Sequence, residues 1–240
     1  MGEATVQVES QSRVRRIRRS LFVATLGLAF LNIAALYDGD RARVYLTKPT
    51  TMLLIIVLAV VGKDLAPSRY ANLVLIGLVC SLAGDIFLML PSDQFIPGLV
   101  SFLIAHLFYI AAFRSGIAGF GPVWLAVPFF AYGLGAFWIL LPGLGGLRLP
   151  LIAYLVVILT MSWQAAVRWN ATRDRSCLSA FLGALLFVVS DSLIAYNRFH
   201  TRFYLAEALI MSTYFPAQWL IAYSVSLQSA DARLVTPISK

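Results

Sequence analysis

Eight apolar runs, near residues 20–37, 47–62, 70–91, 96–113, 121–141, 149–170, 177–198 and 203–227, occupy most of this chain. Several approach the roughly 20 residues that a helix needs to cross a bilayer. With 60% hydrophobic and 12% charged residues, 240 residues cannot hide that much apolar surface in a soluble core. The expected fold is all-α: a polytopic membrane helical bundle of about eight transmembrane helices, with residues 20–227 as one unit. No linker or shift in composition divides it further.

Residues 1–19 read as a disordered, basic cytoplasmic tail ending in RVRRIRRS, and 228–240 as a second cytoplasmic tail. The first run is long, no A-x-A site follows it, and more runs come after, so it reads as an uncleaved helix rather than a signal peptide. In the second run Thr47 is the expected N-cap, with Pro49 in the first turn. PGLGGLRLP punctuates residues 142–150.

The formal charge of +8 does not point to nucleic acid, because the basic residues lie at span ends. One side of an eight-span topology holds 13 of them: Arg13, Arg15, Arg16, Arg18, Arg19, Lys63, Arg69, Arg114, Arg168, Arg173, Arg175, Arg233 and Lys240. The other side holds six: Arg41, Arg43, Lys48, Arg148, Arg198 and Arg202. That asymmetry places both termini in the cytoplasm of a cell (plasma or inner) membrane. Cys80 and Cys177 make neither a disulfide framework nor a zinc spacing.

Two aspartates interrupt the apolar runs, Asp85 in SLAGDIFLML and Asp191 in FVVSDSLIAY. A carboxylate inside a membrane costs several kcal/mol by most estimates and marks a functional site by default. Each lies eight residues beyond a glycine, Gly77 or Gly183, and is followed by a mid-span tyrosine, Tyr109 or Tyr214, after 24 and 23 residues. This weak echo reads as a parallel repeat of a helix pair. Lys48, Tyr154 and Gln218 fall in the same half of the bundle. His106 with Tyr109 (i, i+3), and Tyr214 with Gln218 (i, i+4), share helix faces. Gly77 and Ser81 form a small, polar stripe leading to Asp85, of the kind that packs against other helices. Together these groups imply a polar cavity in the outward half.

Plainer readings exist for each. Asp85 and Asp191 can pair with Lys48 as structural glue, and His106 can be a satisfied interior histidine. Tyr196, Tyr204 and Tyr223 fit an interfacial aromatic belt. Arg198 and Arg202 suit snorkelling to the surface, and Glu207 either role.

Two carboxylates buried near one another do not both ionise, so a pair offers one acid and one base near neutral pH. Such a couple suits reactions that pass through an oxocarbenium ion. A three-histidine zinc centre is excluded by the two histidines, and no H-E-x-x-H, G-x-S-x-G or Tyr-Asp protease pair is present. No metal or cofactor is expected.

KPTTMLL (48–54), SLAGDIFLM (81–89), HLFY (106–109), Tyr154 with Met161, SDSLIAYNRF (190–199) and STYFPAQWLI (212–221) occur in an order and spacing that resemble the lysoplasmalogenase (YhhN-like) family of eight-span membrane proteins. The resemblance runs from about 20 to 225. It implies hydrolysis of the vinyl ether bond of lysoplasmalogens to a fatty aldehyde and a glycerophospho-ethanolamine or -choline. The partners implied are a lysophospholipid substrate and membrane lipid. Asp85, Asp191, His106 and Tyr109 are the expected catalytic residues. Lys48, Tyr154, Ser190, Asn197, Tyr214 and Gln218 are the expected substrate-binding residues. The competing class is a proton-coupled membrane transporter of a small solute or lipid, whose mark is broken helices at matching positions; a structural scaffold is the third.

Overall fold

Lipid offers the peptide backbone no hydrogen-bond partner, so a chain this apolar must satisfy its amides within helices. The computed structural model describes the backbone of residues 2–65 and 68–235, and the side chains of residues 12–63 and 68–228. Among the described residues eight α-helices form: α1 (Gly2–Asp38), α2 (Arg41–Leu65), α3 (Arg69–Met89), α4 (Phe95–Phe113), α5 (Val127–Leu140), α6 (Arg148–Thr172), α7 (Arg175–Phe199) and α8 (Ala206–Val235). Among the described residues, seven segments, one for each of α1 to α7, are long and apolar enough to cross a membrane. α8 is as long, but Glu207, Thr213, Gln218, Ser224 and Ser226 dilute its apolar character. The chain is an integral membrane protein of seven to eight long apolar helices.

Contacts between helices run α2–α3–α4–α6–α7–α8 and back to α2, closing a ring of six. α1 packs outside on α2 and α8, and α5 outside on α6 and α7. The hairpins α3/α4 and α7/α8 are the most closely packed pairs, and a glycine sets each approach. A methyl group on Gly77 would penetrate the Tyr109 ring, and one on Gly183 would meet the Ala217 carbonyl oxygen at 2.8 Å. These are the glycines of the sequence echo.

Local signals set most helix ends. Gly39, at φ 70°, closes α1 with the Asp40 amide donating back to the Ala35 carbonyl, a Schellman end. Ser68 caps α3 and Asp174 caps α7, each accepting an amide three residues on. α2 departs from expectation. Asp40 accepts from the Arg43 amide, so the helix starts at Arg41. Thr47 is therefore an interior residue, donating to the Arg43 carbonyl, and Pro49 lies inside the helix. Residues 12–19, expected in the tail, continue α1; no glycine or proline interrupts residues 3–26, and arginine is a good helix former. Arg18 donates to the Ser226 carbonyl on α8. The tail expected at 228–240 lies, from 236, outside the described residues.

Two arginines hold loops. Arg198 pairs with Asp93 at 2.8 Å and lies over the Phe95 ring. It thus joins the end of α7 to the α3–α4 loop rather than only snorkelling. Its hydrogen bonds hold the Asp93 carboxyl below the ordinary range. Arg168 is buried at the end of α6. Its guanidinium donates to the carbonyls of Ala112, Phe113 and Ser115 at 3.4, 3.4 and 2.6 Å, satisfying the C-terminus of α4. Arg168→Met leaves the Phe113 and Ser115 carbonyls without the guanidinium donor, while Ala112 keeps the Ser115 amide, and is expected to destabilise the fold by about 2–3 kcal/mol. A thermal midpoint in detergent within error of the parent would refute that role.

Candidate functional site

Asp85 sits about one turn before the end of α3 with 1% of its surface exposed. The Lys48 ammonium, two turns into α2, lies 3.0 Å from one carboxylate oxygen. The Tyr214 hydroxyl, on α8, donates to the other at 2.5 Å. Removing a carboxylate from water costs several kcal/mol, which only an opposite charge and good hydrogen bonds offset; both are present.

The polar groups continue inward as a single file. Gln218 Nε2 donates to the Tyr214 oxygen at 3.2 Å, and Tyr109 donates to Gln218 Oε1 at 2.9 Å. Ser81 lies 3.4 Å from the Tyr109 oxygen. α2, α3, α4 and α8 are thereby joined through side chains at depths where backbone amides are fully used. The shared faces expected for Tyr214/Gln218 and for the Gly77–Ser81–Asp85 stripe are formed here.

Asp191 occupies a different setting. It was expected as a second buried carboxylate, but it is only half buried, and it accepts a hydrogen bond from the Tyr154 hydroxyl of α6. Among the described residues no cation pairs with it. It lines a cavity of about 400 Å³ whose other walls are mostly apolar, among them Leu99, Phe102, Leu140, Leu155 and Ile158. The cavity lies on the α5 side of the ring, where Tyr132 of α5 donates to Ser192 of α7 at 2.7 Å. The two carboxylates are close enough for their charges to interact, yet each is held by its own tyrosine. They are a pair in proximity, not in shared hydrogen bonding.

His106 is fully buried between the two clusters. Its ring lies 5.4 Å from Tyr154, 4.7 Å from Phe187 and 6.4 Å from Tyr109, centroid to centroid. Among the described residues neither ring nitrogen has a hydrogen-bond partner, a costly state that buried polar groups usually avoid.

Two expected residues lie elsewhere. Ser190 donates to the Ile210 carbonyl and ties α7 to α8. One residue along a helix turns the side chain by about 100°, so Ser190 cannot face what Asp191 faces. Asn197 accepts from the Phe203 amide and orders the turn into α8. Sequence reading passed over Tyr132 and Ser192, whose only signal was a hydroxyl in an apolar run. It also passed over Asn32, buried on α1 and donating to Thr47. Among the described residues no three His, Cys, Asp or Glu side chains gather around one point.

An all-helical membrane bundle with paired tyrosine–aspartate contacts is the class that this architecture defines. The YhhN family model matches residues 44–225, and the chain belongs to the YhhN family. The uncharacterized membrane protein YhhN of Escherichia coli O157:H7 is 30% identical over 210 residues, covering 86% of this chain and 98% of its own. Lysoplasmalogenase TMEM86B of Sus scrofa is 37% identical over 155 residues, 62% of this chain and 61% of its own. Lysoplasmalogenase TMEM86A of Homo sapiens is 36% identical over 170 residues, 64% and 65% respectively. This chain thus spans under two thirds of those two relatives. No solved structure matches.

The ion pair makes its own prediction. Lys48→Met strands the Asp85 charge and is expected to cost about 3 kcal/mol, whereas adding Asp85→Asn to it should recover most of the lost thermal midpoint. Additive losses in the double variant would show that the two residues do not depend on each other.

Proposed function

We infer that this protein is a membrane-embedded hydrolase that cleaves the vinyl ether bond of lysoplasmalogen-type lysophospholipids. One observation carries the reading: a carboxyl group, Asp191, held by Tyr154 in the wall of a largely apolar cavity, with an ion-paired carboxylate, Asp85, nearby. The names of the similar TMEM86 proteins support the substrate class. A cavity of about 400 Å³ falls within the ~300–1,000 Å³ range of small-molecule sites and suits an aliphatic chain.

Asp191, facing apolar groups with no cation beside it, enters as the neutral acid, the form such a wall tolerates. Tyr154 occupies one of its oxygens and leaves the other to carry the proton. That proton passes to the vinyl carbon that is not bonded to oxygen and that carries the aliphatic chain; the π electrons form the new C–H bond, and the ether oxygen shares its lone pair to give an oxocarbenium ion. Asp85, ionised against Lys48, contributes negative charge that stabilises this cation. Water adds to the cationic carbon and returns a proton to Asp191. The hemiacetal then breaks its C–O bond to the glycerol, releasing aldehyde and a glycerol hydroxyl. His106, with both nitrogens free of protein partners, is placed to orient the attacking water, and Tyr109 and Gln218 fix Tyr214 on Asp85.

In this reading the bundle crosses the membrane eight times, residues 20–227 form the membrane unit, and the basic flanks 1–19 and 228–240 are cytoplasmic. The excess of Lys and Arg on that side supports it. Proton-coupled transport calls for discontinuous helices at equivalent places. Here α3 and α7 are continuous, and Pro216 lies inside an unbroken α8.

Aldehyde release from a lysoplasmalogen by the purified protein tests the reading. Asp191→Asn is expected to lower kcat by at least about a hundredfold with its thermal midpoint retained, and Asp85→Asn to lower kcat as far while also losing thermal midpoint, because it leaves the buried Lys48 ammonium unpaired. Tyr154→Phe should lower kcat less than Asp191→Asn does. Full turnover in both asparagine variants would remove the mechanism, and no turnover in the parent protein would remove the substrate assignment.

A further inference from the structure

The cavity that Asp191 lines is open on one side. Its exposed lining residues are Ala131, Tyr132, Gly135 and Ile139 of α5 and Tyr196 of α7, whereas the lining from α3, α4 and α6 is buried or half-buried. The opening therefore lies between α5 and α7, and two contacts frame it. Nearer the middle of the helices, Tyr132 donates to Ser192 at 2.7 Å. At the far end, Gly143 in the turn after α5 stands so close to the Phe199 carbonyl that a methyl group would overlap it. Between these contacts Gly135 leaves a notch, because a methyl group there would meet nothing within 4 Å. Gly133, two residues back, differs: Leu159 already fills the space beside it.

Depth decides what meets the notch. Gly135 and Asp191 each lie eight residues before the ends of their apolar spans, at Gly143 and Phe199, or about 12 Å inside. Outside the notch is therefore hydrocarbon rather than water. The cavity does not continue far past the aspartate. Its innermost walls on α6 and α7, Leu159 and Val188, lie five and three residues beyond Tyr154 and Asp191, about 4–8 Å deeper. A membrane lipid's chain covers one leaflet's half of the hydrocarbon core, about 15 Å. With its first carbons at Asp191, such a chain overruns the cavity. On the opposite flank Leu88 borders a second cavity, of about 410 Å³, lined by Asn32, Tyr45 and Lys48 among others. That polar lining does not suit aliphatic carbons, which leaves the notch as the route out.

We propose that the notch between α5 and α7 is a lateral port through which the aliphatic chain of the lysophospholipid passes, so that the chain runs from Asp191 past Gly135 into the surrounding lipid. Gly135 is thereby a specificity-determining residue: an open port admits a long chain without measuring its length. The proposal rests on the hydrolase reading for its substrate class, but its test needs no turnover.

The probe is a long-chain, saturated alkyl-ether lysophospholipid, which has no vinyl carbon to protonate, with a photoreactive diazirine at the last chain carbon. The protein is irradiated with it in phospholipid nanodiscs, and labelled residues are read by mass spectrometry. An excess of the unlabelled lipid separates site-bound probe from probe dissolved in the bilayer. Competed labelling is expected on exposed residues outside the port, such as Val127 and Leu134 of α5 and Val189 of α7. Gly135→Trp, whose indole plugs the notch, should reduce it at least about tenfold with the thermal midpoint retained. Gly135→Leu, a smaller plug, gives the same test where the indole lowers that midpoint. Competed labelling confined to Phe102, Leu159 and Val188 at the inner end, no competed labelling, or labelling unchanged by both plugs overturns the port. Competed labelling outside the port in a protein that releases no aldehyde would uphold the port while the hydrolase reading fell. Aldehyde release with labelling confined to the inner end would do the reverse.

Discussion

A charge inside a membrane must find its opposite, and the fold is arranged around the place where Asp85 finds Lys48. The two arrive from α3 and α2, and Tyr214 from α8 completes the carboxylate's shell. Because none of the three can shift without exposing a bare charge to a low-dielectric interior, their helices are fixed in mutual rotation as well as position. Gln218 and Tyr109 extend that constraint to α4. Packing of apolar side chains alone gives helices in lipid little reason to prefer one rotation over another; this cluster supplies one.

Much of this was legible in the sequence because it follows from helical periodicity. The stripe Gly77–Ser81–Asp85 and the pair Tyr214–Gln218 are spaced by one turn, and the structure uses both as faces. What the sequence does not encode locally is which helix stands beside which. Asp191 meets Tyr154 because α6 and α7 adjoin, and Asp85 meets Tyr214 because α3 and α8 touch across the ring. Ser190 and Asn197 show the converse: both lie near Asp191 in sequence, but rotation about the helix axis turns them to other tasks. The expected start of α2 at Thr47 rests on Pro49, whereas Asp40, whose carboxylate caps the helix, lies about two turns earlier. Arg168 read as one more cytoplasmic charge, because no sequence pattern shows that the end of α4 needs a donor.

The two cavities differ in kind. One is mostly apolar and lies toward α5, the more loosely attached of the two helices outside the ring; the other has a more polar lining and lies toward α1. Leu88 stands at the boundary, four residues from Gly84 and packed over Gly98, where a methyl group would strike it. Small residues on both sides of the α3/α4 hairpin thus leave room for the side chain that separates the compartments.

The file of hydrogen bonds from Tyr109 to Asp85 contains an amide at its midpoint. A hydroxyl passes a proton by accepting and releasing at the same oxygen, and a carboxyl by exchanging the roles of its two equivalent oxygens. Gln218 accepts at Oε1 and donates from Nε2, so relaying a proton would require it to become an imidic acid. The file holds charges in place without conducting them. In a membrane that stores energy as a proton gradient, this polar thread is therefore an insulator.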